Sequence, residues 1–368
     1  MDAAFTAEQD AIRRTLHEAL HDALHELFVT RAEGERRREL WGRLADALER
    51  APLSPPLLAT SVLAAPLIAT LGSQVQKDTL LPDITAGRSS AALAVPGGAL
   101  SVALGLTGSN AAGDWAGGGR SGGVQARRGE KGWVLYGQAD QVLDGHSADL
   151  LLVAAHAGGF ARGRVLLFLV RAKDAVGLAR VRQAASDEVR PLATLQLRDV
   201  EGELLGSGEG VAEALAGVGR AAAAVLAAEA VGVAERLLGR TVARARGRGG
   251  EGRLAEVHAA VEAARSAAYR TVWNPVDAGG GGLALAQGLE ALRSAATEAM
   301  RGEGDAHEAQ TRDAQACFAR VARDEVLFGP VERLRAWAVE VSGLFGPAGG
   351  GGTGDGSADE KADEREAV

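Results

Sequence analysis

A chain of 368 residues is too long for one small core, so two or three folding units are expected. Its 46 % hydrophobic residues exclude wholesale disorder, and a net charge of −8 with no basic cluster excludes a nucleic-acid surface. A single cysteine, Cys317, excludes a disulfide framework, reads as a small core residue on a helix, and fits a reducing cytoplasm.

The acidic start, MDAAFTAEQD, has no apolar segment of the signal-peptide kind. Thr6 to Gln9 is a capping-box pattern, and Ile12, Leu16, Ala19, Leu20, Ala23 and Leu27 then give a helix one apolar face. His17, His21 and His25 form a column on that helix beside Glu18, Asp22 and Glu26. Three imidazoles in one column do not converge on a tetrahedral ion, so a solvated face and no metal is the reading. Leu40, Trp41, Leu44 and Leu48 mark a second helix ending before Pro52. The apolar run Leu57 to Leu71 is shorter than the ~20 residues of a membrane span and contains Pro66, so no membrane role is expected.

From about Ala91, short apolar runs between glycine clusters read as strands of an antiparallel β-domain: Ala99–Leu106, Gly132–Tyr136, Leu150–Ala155, Val165–Val170 and Thr194–Val200. Gly113 to Gly123 is a loop, and no GxGxxG joins a strand to a helix, so a Rossmann site is not supported. Helices return at about 210–246, 253–273, 283–301 and 306–344, the last broken near Gly329-Pro330. In the first of these, Val225, Ala228, Val231 or Gly232, Glu235 and Leu238 mark a stripe of mostly small residues. The tail from Gly346 is glycine-rich, then acidic, and reads as disordered. The organisation is therefore an N-terminal α-helical domain (1–90), a middle β-domain (91–205), C-terminal helices (206–345) and a tail (346–368). There is no GxSxG, HExxH, P-loop or CxxC, and Asp144 and His146 lack a nucleophile in any motif context.

Three stretches carry a family resemblance. AAEAVGVAERLLGRTV (227–242), a Gly/Arg break, and RLAEVHAAVEAARSAAYRTVW (253–273) resemble the C-terminal helices of the acyl-CoA dehydrogenases. Leu71, Gly72, Gln76, Lys77, Leu81, Pro82 and Gly87 are similar to that family's N-terminal pattern LG-x-x-x-Q-K-x-x-x-LP-x-x-x-xG. The break reads R-x-Q-F-G in the family; here Arg248 and Gly252 hold their places, Gly250 and Glu251 replace Gln and Phe, and the connector that follows is missing. The resemblance spans residues 5–345 and implies a mainly α fold with a central β-domain. Its parts are an N-terminal helical domain, a small antiparallel β-barrel or sandwich, and a C-terminal four-helix bundle.

The resemblance also implies FAD between the β-domain and the bundle, its adenine end held by a neighbour, and a carboxylate that takes the α-proton of an acyl-CoA thioester. In most members the base follows a Q-x-x-GG-x-G turn late in the bundle; here Gly329 survives and Glu332 is the nearest carboxylate. In others it precedes an Arg on the first bundle helix, where this chain has Gly219 before Arg220. The flavin motif T-E-x-x-x-GSD has Val95 and Pro96 at Thr and Glu, and W-I-T/S-N has become Gln141, Val142, Leu143 and Asp144. Arg248, reaching a pyrophosphate across a subunit boundary, and Val142 and Leu143 by position are the cofactor-site candidates. This pattern resembles the partner chains of heteromeric α2β2 members, which keep the packing and lose the catalytic side chains. It implies a homologous acyl-CoA dehydrogenase subunit as partner and an acyl-CoA substrate at the level of the complex. A competent homomeric enzyme and a binding or scaffold protein on the same fold are the alternatives.

Overall fold

The computed structural model describes residues 22–24, 26–27, 34–50, 53–54, 56–117, 123–130, 132–158, 164–184, 190–245, 251–273, 279–301 and 305–343. The capping box at Thr6, the histidine column, Arg248 and the acidic tail lie outside them.

Helix α1 (Gly34–Arg50) buries Leu40, Trp41, Leu44, Ala47 and Leu48 along one face. Leu57–Ala64 follows with π-helical turns and runs into α2 (Ala65–Leu71). Every side chain of Leu57–Ala64 is buried, which accounts for its unbroken apolar run. Within it, Thr60 Oγ1 donates to the Ala91 carbonyl at 3.0 Å and accepts from the Ala91 amide at 2.9 Å. Helix α3 (Gln74–Thr85) begins with a capping box between Ser73 and Gln76. The Gln76 amide also donates to Glu203 and to the Leu204 carbonyl and accepts from the Gly206 amide, so this one residue ties the N-terminal helices to the end of the sheet.

Among the described residues, seven strands form one sheet: β1 (Ala91–Ala94), β2 (Val124–Gly129), β3 (Gly132–Leu143), β4 (Leu150–Ala157), β5 (Arg164–Arg171), β6 (Leu178–Arg182) and β7 (Leu192–Leu204). Strands β4, β2, β3, β7 and β5 close into a ring, since β5 also pairs with β4. The barrel is mixed where an antiparallel domain was expected, because β1 and β2 both run parallel to β4. The reason is the connection from β1 to β2: it is a long helical crossover, which permits a parallel return, where a hairpin would not. Along β4 and β5 the side chains alternate between two cores. Leu151, Val153, Leu166 and Phe168 fill the barrel, while Leu150, Leu152, Leu167 and Leu169 join the core shared with the helices. A strand buried on both faces reads as a continuous apolar run, as LLLVAA does.

The second departure from the sequence reading is Ala99–Leu106, expected as a strand and found as helix α4 (Leu100–Ala103) with a turn. Leu100, Val102, Leu104 and Leu106 alternate, but Leu100, Ala103 and Leu104 also share one helical face, and that face is the one buried.

The C-terminal helices are α5 (Val211–Ala245), α6 (Glu251–Trp273), α7 (Gly280–Ala299), α8 (Asp305–Phe328) and α9 (Val331–Ser342). Helix α7 packs on all the others, most extensively on α5. Gly288 makes that contact close, because a Cβ there would stand 3.2 Å from the Ala227 carbonyl oxygen. Among the described residues α5 alone is long and apolar enough to cross a membrane by length and composition. Most of its apolar side chains are buried, and it packs against α1, α6 and α7. Cys317 is buried on α8, as expected, and burial pushes its thiol pKa up.

Candidate functional site in the seam between barrel and helices

The positions implied as flavin contacts come together where the end of β1 and a bulge in β3 meet α8. Val95 is buried, and Pro96 opens a single turn, Pro96–Gly98, that lies against β3. Proline has no amide hydrogen to give. The β3–β7 pairing is interrupted between Ala139 and Val142, and in that bulge Gln141 takes φ +58°. Its Oε1 stands 2.7 Å from where a Cβ on Gly98 would be, so the amide fills the space over the turn. Val142 belongs to the barrel core and Leu143 to the helical core, each 2 % exposed. Neither offers a donor to a ligand. What remains between Leu93, Val95, Gly98, Gln141, Val326 and Leu327 is a crevice of about 10 Å³, room for one water.

Asp144, at the last place of the same motif, is buried with φ +57°. Burial raises its pKa, opposed by the Ser147 hydroxyl that donates to Oδ1. Its backbone amide donates to the Pro191 carbonyl, so Asp144 and Ser147 close the turn out of β3.

The two positions implied for a base hold an exposed glutamate and a buried glycine. Glu332 lies in the first turn of α9 and is exposed to solvent. Gly219, buried on α5 ahead of the half-buried Arg220, faces the backbone of Leu104. A Cβ at 219 would overlap the Leu104 carbonyl oxygen. No side chain fits there, let alone a glutamate.

The sequence reading missed a buried ion cluster that joins all three parts of the chain. Arg190, just before β7, is fully buried. Its Nη2 donates to Glu229 Oε2 on α5 at 2.5 Å, its Nε to Asp324 Oδ1 on α8 at 3.1 Å, and its Nη1 to the Leu53 carbonyl at 3.1 Å. The Leu53 amide returns to Glu229 Oε1 at 2.9 Å, and Arg320 Nη1 stands 3.9 Å from that same oxygen. Burial pulls the Arg190 pKa down, and the two carboxylates more than restore it, so the guanidinium stays charged. Burial pushes Asp324 up to about 6 against the pull of Arg190. One signal was available: Glu229 is the lone charge in the run AAAAVLAAEAVGVA.

Solved structures now give the fold its context. A FAD-dependent dehydrogenase matches with TM-score 0.72 at 18% identity over 94% of this chain and 100% of its own. The butyryl-CoA dehydrogenase of Megasphaera elsdenii matches with TM-score 0.66 at 18% identity, over 94% of this chain and 100% of that one. The chain has the acyl-CoA dehydrogenase fold. A third match is the ChsE4-ChsE5 complex of Mycobacterium tuberculosis, with TM-score 0.60 at 23% identity over 93% of this chain and 99% of that one. No family model and no curated relative matches the sequence. Against this fold, the described residues at the expected flavin positions do not fit an isoalloxazine ring. Valine, proline and leucine stand where hydroxyl and amide donors are needed, and the crevice beside them has room for one water.

Proposed function

We propose that this chain is the non-catalytic subunit of a heteromeric FAD-dependent acyl-CoA dehydrogenase. Its partner is a homologous subunit that carries the base and most of the flavin site. The assembly removes hydrogen across the α,β-bond of an acyl-CoA in lipid, steroid side-chain or secondary metabolism. In this reading residues 1–90, 91–205 and 206–345 are its three units, and Arg248, outside the described residues, is the candidate contact to a cofactor held mainly by the partner. The observation that carries the reading is a contrast: the fold is kept from end to end, while Gly219 is sealed and Glu332 is solvated. An ordinary enzyme of this fold cannot lose both base positions, whereas a subunit completing an assembly can.

Co-expression with an acyl-CoA dehydrogenase-like chain, followed by assay of the purified pair, tests it. Glu332→Gln in this chain leaves the rate within about twofold, since a general base is worth roughly 10²–10⁴ and this residue is not one. A loss of about a hundredfold or more makes Glu332 the base and this chain an enzyme in its own right.

A further inference from the structure

The crossover from β1 to β2 is more than a connection. Residues 99–116 wedge between the barrel and the C-terminal helices and are held from both sides. Leu100, Ala103, Leu104, Leu106, Trp115 and Ala116 are buried. On the helical side, the Leu104 carbonyl rests on Gly219 of α5, and the Gly105 carbonyl accepts from Trp337 Nε1 of α9 at 2.9 Å. Thr107 packs on Gly329, the hinge between α8 and α9, so closely that a Cβ at 329 would overlap its methyl group. Asn110 Nδ2 donates to the Ala103 carbonyl at 2.7 Å and to the Ala212 carbonyl of α5 at 2.8 Å, and Trp115 Nε1 donates to the Asn110 carbonyl at 2.9 Å. On the barrel side, Gly113 lies against Val165 of β5.

Two features make this contact specific. The glycines at 219 and 329 are the places where no Cβ could coexist with the crossover, so the helices are shaped to receive it. The polar groups of the segment are also paired: the amides of Ala103, Leu104, Gly105 and Leu106 all find carbonyls within it, and two tryptophans and an asparagine satisfy its outward carbonyls. A lid that opens would leave these buried groups unpaired at each opening, at a cost of about 1–3 kcal/mol apiece.

We propose that residues 99–116 are a fixed plug of the seam between barrel and helices, so this chain accommodates neither a flavin ring nor an acyl chain there. Any catalytic cavity in a mixed assembly then belongs to the partner. The inference rests on the partner-subunit reading for its function, although the seal itself is a property of this chain alone.

Hydrogen–deuterium exchange on the full chain tests the seal directly, with and without added FAD and octanoyl-CoA. The amides of 103–106 exchange as slowly as those in the centre of α5 under every condition, and FAD or octanoyl-CoA changes their rates by less than about twofold. Acceleration of about tenfold or more with either ligand shows a lid and overturns the plug. Gly219→Ala supplies a second readout: the added methyl pushes on Leu104, so the melting temperature falls and 103–106 exchange faster. An unchanged melting temperature contradicts the seal. The two ideas fail separately: a closed plug with no mixed assembly defeats only the partner reading, while a plug opened by flavin on the isolated chain defeats both.

Discussion

Arg190 shows most clearly what a single residue does here. It holds carboxylates 39 and 134 residues away in sequence, together with the Leu53 carbonyl, in a site closed to water. Arg190→Met removes the cation and leaves Glu229 and Asp324 buried beside each other. Loss of one partner from such a cluster costs about 3–5 kcal/mol. Chemical denaturation should report that loss, and a change below about 1 kcal/mol contradicts the cluster's role. Asp324 adds a pH dependence. Its folded pKa of about 6 lies above the ordinary carboxylate value, so the folded state binds this proton more tightly than the unfolded chain. The native chain therefore loses stability relative to Asp324→Asn as pH rises from about 4 to about 6, and the difference is level above that. Parallel denaturation curves of the two proteins show it. A difference that is flat or rises over this window removes the assignment. None of this was legible in the sequence, because the three partners are distant and only Glu229 stands out as a charge in an apolar run.

At the scale of elements, the C-terminal helices were the most legible part. Their 3–4 periodicity, the Gly/Arg break and Gly329-Pro330 locate α5 to α9 closely. The capping residues Ser73 and Gln76 stood inside a motif that the resemblance had already marked. The crossover was misread because LSVALGL satisfies both a two-residue and a helical period, and only packing decides between them. The same limit applies to α5 and α7. Their small residues were visible, but not that Gly281 and Gly288 lie on the α5 backbone near Arg220 and Ala227. Gly288→Leu forces those helices apart and destabilises the chain by about 2–3 kcal/mol, as overpacking of a tight contact does. A thermal melt within a degree of the native one places that contact elsewhere. Val142 and Leu143, named by position as cofactor contacts, are buried aliphatic side chains, one in the barrel core and one in the helical core.

For the whole molecule, the fold is the part that the comparisons establish. The chain keeps the acyl-CoA dehydrogenase architecture along nearly its full length, with the helices, barrel and ion cluster locked into one body. Among the described residues, the two positions implied for a base hold an exposed Glu332 and a buried Gly219, and Val95, Val142 and Leu143 at the implied flavin positions are buried. The proposed subunit role rests on that framework together with the exposed Glu332 and the sealed Gly219. Flavin content per chain, read from visible absorbance, tests this most directly, on the purified chain alone and co-purified with an acyl-CoA dehydrogenase-like partner. The chain alone carries no flavin, and the mixed assembly carries about half an equivalent per chain. About one flavin per chain in the isolated protein contradicts the partner role and makes this an ordinary flavoenzyme; no flavin in either preparation leaves a scaffold built on the same fold.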